Sequence, residues 1–282
     1  MRKSLMEKVR NNGLVSVIML SHGNGKYVEE TVRSILAQTY QNWELLCVTE
    51  SDNEALKSLS DLRVEDIEII KESGKAWQFY SSGQSRIKVS YIVGQNDDTP
   101  RRNSALRGAN GRWIAFLDVG DIWEPTKLER QIAFMEDHGY DFSYTKYGLI
   151  DRKSEDRGIV VGGKAHVTNQ DMMKCCWPAY LTVMYDAENV GRMQLAGLKD
   201  NNDYALWLKV SEKADCYLLD ECLAKHRTKW GWLGRFFLTN KIKWRYDCFR
   251  IAEGMTPIQA CLYTIRNGLY GFVKWWKYVE RS

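Results

Sequence analysis

The chain has 282 residues, with 40 Lys and Arg against 36 Asp and Glu, a formal net charge of +4 and 44% hydrophobic residues. With only four prolines and no low-complexity tract, it is not a fibrous or disordered chain, and its length allows one large domain or a domain with an appendage. Its seven cysteines include no C-x-x-C pair, and two are adjacent at Cys175 and Cys176. This excludes a small disulfide scaffold and reads as reduced, mostly buried thiols in a cytoplasm.

Residues 1–12 are basic, are expected to be flexible, and lack the apolar core of a secretory signal. Val15-Ser-Val-Ile-Met-Leu20 reads as a buried parallel strand, Tyr27 to Gln38 as a helix with Val28, Val32, Ile35 and Leu36 on one face, and Trp43 to Val48 as a second strand. Strand, helix and strand in this order form a βαβ unit with a right-handed crossover. A helix over 53–59 and strands over 67–70 and 87–93 follow, with 72–86 between the two strands as an inserted loop or hairpin. Arg101 to Ala109 reads as a helix, Trp113 to Leu117 as a central strand, and Pro125 to Asp137 as a helix with proline in its first turn. Strand and turn are expected over 140–150, a helix over 169–175, a strand over 181–185, an amphipathic helix over 203–213 and a strand over 216–219. The alternation defines an α/β class with a mostly parallel central sheet flanked by helices, whose ligands bind beyond the carboxyl ends of the strands. That edge holds the loops at Ser21, at Thr49-Glu50 and at Asp118-Val-Gly-Asp121.

Four segments carry a resemblance to a known family: Val15 to Met19; Thr31-Val-Arg-Ser-Ile-Leu-Ala-Gln-Thr-Tyr-Gln-Asn-Trp-Glu44; Arg102-Asn-Ser-Ala-Leu106 through Gly111-Arg-Trp-Ile-Ala-Phe-Leu-Asp118; and Asn202-Asp-Tyr-Ala-Leu-Trp-Leu208 through Leu223-Ala-Lys-His-Arg227. In this order the chain resembles the inverting family 2 glycosyltransferases of bacterial capsule, teichuronic acid and O-antigen synthesis. The resemblance implies the GT-A nucleotide-diphospho-sugar transferase fold over residues 13–228. It also implies transfer of a sugar from a nucleotide-sugar, expected to be a UDP-sugar, to a hydroxyl of a lipid-linked or polysaccharide acceptor.

Sugar transfer needs a neutralised diphosphate, a base for the acceptor hydroxyl and a held nucleotide. The resemblance makes Asp118 a ligand on the ribose or metal side and Asp203 the catalytic base, and it places His22, Glu50, Arg102 and Asn103 around the nucleotide. It implies a divalent cation, Mn²⁺ or Mg²⁺. The family's usual metal-ligand Asp is here Gly120, which leaves Asp121 either to take that place or to cap the following helix. Asp203 is equally suited to a helix N-cap, and His22, Glu50, Arg102 and Asn103 to exposed loop or helix positions. Gly120 and Thr49 also fit a second function class, a catalytically weakened relative that binds a nucleotide-sugar or a partner at the membrane. Gly23-Asn-Gly25-Lys26 lacks the rest of a phosphate loop, the four histidines lack zinc-like spacing, and no nucleophile elbow occurs.

Residues 229–282 form a basic, aromatic tail with ten bases and three acids, hence a charge of +7 against −3 for the remainder. Thr256-Pro257 opens an expected helix through Leu262, Ile265, Leu269, Phe272 and Val273. No uncharged span is long enough to cross a membrane. The composition fits an anionic membrane surface and so a peripheral enzyme on the inner face of the cell membrane. A helical extension packed on the catalytic domain and a dimer surface are the alternatives; nucleic-acid binding is not expected.

Overall fold

The almost wholly apolar run of β1 (Val15–Ser21), buried at every position, sets the layering of the molecule. In the computed structural model, which describes residues 13–21, 25–50, 67–71, 86–92, 98–198, 202–228 and 240–281, Val15, Val17 and Met19 enter one core and Ile18 and Leu20 the other. Both faces are covered, so the strand is buried throughout, as a central parallel strand must be. It is followed by α1 (Val28–Leu36), β2 (Trp43–Glu50), β3 (Ile67–Lys71), β4 (Ile87–Ile92), α2 (Asp98–Gly108) and β5 (Trp113–Phe116). These strands form a parallel half-sheet in the order β5-β1-β2-β4-β3. The expected helix at 53–59 and the 72–85 part of the expected insertion lie outside the described residues.

The second half is mixed. It comprises β6 (Ile122–Trp123), α3 (Lys127–His138), β7 (Phe142–Ile150), β8 (Asp156–Val161), β9 (His166–Val167), α4 (Asn169–Lys174), β10 (Met184–Asp186), α5 (Asn202–Ser211) and β11 (Cys216–Arg227). The tail adds α6 (Asn240–Asp247), α7 (Pro257–Tyr278) and β12 (Val279–Arg281). β10 is antiparallel to both β5 and β7, and β12 pairs antiparallel with β8, so the tail joins the same sheet. Parallel pairing therefore dominates only the N-terminal half, because a strand's pattern fixes its faces and not its direction. β11 runs far beyond the expected 216–219. Its register shifts between Leu219 and Ala224 break the apolar alternation that would have marked one long strand, and beyond them it still pairs with β7 and β6. α7 begins as its sequence predicts: Thr256 and Gln259 form a reciprocal capping box with Pro257 in the first turn.

A buried ionic knot locks the non-functional ends of the parallel strands. Glu44 on β2 is 5% exposed and accepts bonds from Ser16 Oγ (2.7 Å), the Asn110 backbone N–H (2.7 Å) and Lys88 Nζ (3.1 Å). Ser16 Oγ in turn accepts from the Gly111 N–H at 2.8 Å. A Cβ at Gly111 would stand 2.6 Å from both Leu14 O and Ser16 N, so only glycine lets this turn approach β1. Removing one partner of a buried pair strands the other charge. Glu44→Ala is expected to lower unfolding stability by about 3–5 kcal/mol in urea denaturation; a loss below ~1 kcal/mol would show that Lys88 reaches water without it.

Candidate functional site

β1, β2 and β5 run parallel and end at one edge, and the segment leaving β5 bears the acidic turn from Asp118 to Asp121. Helix α1 and its exit hold that turn through a polar stripe, Thr31 and Ser34 on the helix and Gln38 just past its C-cap. Thr31 Oγ donates to Asp121 O (2.9 Å) and accepts from the Gly120 N–H (3.0 Å). Ser34 Oγ accepts from the Trp123 N–H, and Gln38 bonds the Glu124 carbonyl and the Leu128 N–H. All three side chains are buried, so this stripe fixes the backbone beneath the carboxylates. Gly120 has φ +109°, a conformation that suits glycine and strains an aspartate.

Asp118 sits in a recess with 32% of its side chain exposed. Its Oδ1 accepts from the Leu20 N–H at 3.3 Å, and its Oδ2 pairs with Arg102 Nη2 at 2.6 Å. Withdrawal from water pushes its carboxyl up to about 6. Arg102 and the Leu20 amide pull it down, and the charges of Asp121 and Asp203 push it up. The guanidinium of Arg102 lies 4.5 Å over the ring of Tyr180, which packs on Phe116 at 4.8 Å and on Trp207 at 6.0 Å. Burial raises the Tyr180 phenol, and the Arg102, Asp118 and Asp203 charges all reach it.

Asp121 is held on the opposite side of the turn. Its carboxylate accepts from the Arg227 N–H (3.0 Å) and bonds His226 Nδ1 (2.9 and 3.1 Å). Arg227 is the clamp for this corner. Its guanidinium donates to Gly120 O, Asp151 O, Ser154 Oγ and Glu30, and it stacks 4.1 Å over Tyr27. Asp203 opens α5, whose following residues Tyr204 to Leu208 are buried without a gap. That anchorage leaves Asp203 as the half-exposed carboxylate at a helix N-terminus, where the backbone dipole favours negative charge.

The structure thus gathers Arg102, Asp118, Asp121 and Asp203 at one rim, where the fields of Asp121 and Asp203 act on Asp118. Asn103 is on the same helix as Arg102, but its amide is engaged on both ends with the backbone of Leu195, at 2.7 and 3.1 Å. Its described role is to hold the segment before α5. His22 and the side chain of Glu50 lie outside the described residues; Glu50 contributes the last backbone position of β2. Among the described residues no three His, Cys, Asp or Glu side chains cluster as a closed metal cage. Two carboxylates with mutual repulsion suit instead a hard cation completed by phosphate oxygens. Tyr180, His226 and Arg227 are the site residues that sequence reasoning left unassigned. The signal for the last two was their place in the Leu223–Arg227 segment, at the end of the strand after the Asp203 helix.

Residues 80–162, which include the acidic turn, match the family Glycosyl transferase family 2. The putative teichuronic acid biosynthesis glycosyltransferase TuaG of Bacillus subtilis is 32% identical over 215 residues, 76% of this chain and 79% of that protein. The UDP-Glc:alpha-D-GlcNAc-diphosphoundecaprenol beta-1,3-glucosyltransferase WfgD of Escherichia coli is 33% identical, over 70% of this chain and 69% of WfgD. In three dimensions the chain is similar to S. aureus TarS 1–349 in complex with UDP-GlcNAc, with a TM-score of 0.64 at 17% identity, covering 92% of this chain and 73% of that one. Relatives matched at 32–33% identity over most of their length, together with a shared GT-A architecture, show the family: this chain belongs to glycosyltransferase family 2 and is a glycosyltransferase.

Proposed function

We propose that the chain transfers a sugar from a UDP-sugar, with inversion, to a hydroxyl of a lipid-linked or polysaccharide acceptor during cell-surface glycan synthesis. The observation that carries this reading is the convergence of Asp203, from a distant segment, on the rim that bears Asp118 and Asp121 on one turn. The names of TuaG and WfgD support the acceptor class, and the UDP-GlcNAc complex of TarS supports the donor class. The place of work is the inner face of the membrane that carries the acceptor.

In this reading Asp203 accepts the proton of the acceptor hydroxyl while that oxygen attacks the anomeric carbon. The new glycosidic C–O bond forms as the bond from the anomeric carbon to the diphosphate oxygen breaks, and UDP leaves with the electron pair. Asp118 and Asp121 are the residues that would hold a divalent cation, which supplies charge neutralisation for the diphosphate when bound. Arg102, fixed by the Tyr180 ring and by Asp118, adds a positive charge beside the same phosphates. His22, next in sequence after β1, and Glu50, the last residue of β2, are assigned to the nucleotide base.

Asp203→Asn is expected to lower kcat by about 10²–10⁴-fold while UDP still raises the Tm in the presence of Mn²⁺. Turnover within a few-fold of wild type would remove Asp203 as the base. A second outcome concerns Asp118 in metal-free protein. Its native carboxyl binds a proton near pH 6, above the unfolded value of 3.8, so its stabilising contribution is present below about 4 and is lost as pH rises through 6. Thermal melts from pH 4 to 8 are expected to show wild type losing stability relative to Asp118→Asn over that window. A constant difference between the two would mean that Asp118 titrates normally.

A further inference from the structure

Helix α7 carries its amphipathic character the wrong way round for a helix packed on a core. Its inward stripe is small or polar: Ala260, Thr264 and Asn267 are buried, and Lys274 follows in register. Its outward stripe is Ile258, Leu262, Ile265, Leu269 and Trp276, all between 58% and 76% exposed. These positions recur at helical spacing on the side opposite Ala260 and Thr264. A large apolar face open to water marks a surface meant for something else.

Charge identifies the occupant. From Pro257 to Tyr278 the helix has no Asp or Glu, and its bases are Arg266, Lys274 and Lys277. The preceding α6 region adds the exposed Lys243 and Arg250 together with exposed Ile242 and Ile251. A second copy of the same helix would bring bases against bases with no acid on either side, whereas an anionic lipid surface offers apolar depth below and negative headgroups at the rim. No described helix is long and apolar enough to cross a membrane.

The inward stripe connects this face to the site. Asn267 Nδ2 donates to Tyr204 Oη at 2.8 Å, and Tyr204 adjoins Asp203 on α5. Lys274 Nζ donates to the carbonyls of Cys176 (3.1 Å) and Trp177 (2.5 Å), in the segment that leads to Tyr180. We propose that the Ile258–Trp276 face of α7 is an in-plane docking surface for an anionic bilayer, bolted through Asn267 to the Asp203 helix and through Lys274 to the segment before Tyr180, so that a lipid-linked acceptor meets the site at a fixed height. The docking surface stands on its own observations; its use for presenting the acceptor rests on the reading above.

The test is co-sedimentation of the full chain with vesicles of phosphatidylglycerol and phosphatidylcholine, or of phosphatidylcholine alone. Wild type is expected to bind the anionic vesicles at least tenfold more than the neutral ones. The double variant Leu262→Glu/Leu269→Glu is expected to lose at least tenfold of that binding, and Arg266→Gln/Lys277→Gln to lose the anionic preference. Both alter exposed or rim positions. The UDP-induced rise in Tm is expected to persist in both and reports separately on the nucleotide site, so its absence would count against the transferase reading and not against the surface. Equal vesicle binding by wild type and Leu262→Glu/Leu269→Glu overturns the proposal. So does a wild type that ignores vesicles and elutes as a dimer which this variant breaks, because the face would then join two protein chains.

Discussion

Two carboxylates of the same sign share one tight turn at the end of β5, and the cost of keeping them together governs the rest of the site. Asp118 is drawn partly out of water and repelled by Asp121 and Asp203; Arg102 and the Leu20 amide offset part of that cost. Asp121 is offset separately, by His226 and the Arg227 amide. The two compensations come from opposite directions, α2 on one side and the end of β11 on the other. The turn is therefore gripped between them.

The backbone is held as firmly as the charges. Thr31 bonds both the Gly120 N–H and the Asp121 carbonyl, and Arg227 bonds the Gly120 carbonyl, so the glycine at φ +109° has its amide and carbonyl both satisfied. Gly120 is then the residue that lets two carboxylates flank a turn without a third between them. The substitution that looks at first like a lost ligand is also a backbone requirement of the conformation.

Much of this was legible from periodicity. The apolar runs of β1 and β5, the apolar face of α1 and the buried run after Asp203 predict the βαβ frame and its acidic edge. The Thr31-to-Glu44 segment resembled the family closely, yet its physical reason appeared only in three dimensions. Thr31, Ser34 and Gln38 hold the acidic turn and Glu44 closes a buried knot at the far end of β2. Tyr180 was not legible, because it acts through Arg102, scores of residues away, and sits in no motif; Arg227 lies in the Leu223–Arg227 segment, but its clamp on Gly120 and Glu30 joins positions that only the fold brings together. The direction of β10 and the bulged length of β11 likewise depend on neighbours and leave no local mark. For α7 the sequence specified the helix and its cap. It did not specify that the apolar stripe would face away from the fold.

The central claim is that one crevice, bounded by Asp118 and Asp121 and faced by Asp203, holds the donor's diphosphate. A manganese anomalous difference map from crystals soaked in Mn²⁺ and UDP tests it directly. The account predicts a single strong peak against the carboxylates of Asp118 and Asp121, with the diphosphate on it and Asp203 across an open space. A nucleotide bound elsewhere on the molecule, with the Asp118–Arg102 and Asp121–His226 pairs undisturbed, would contradict it.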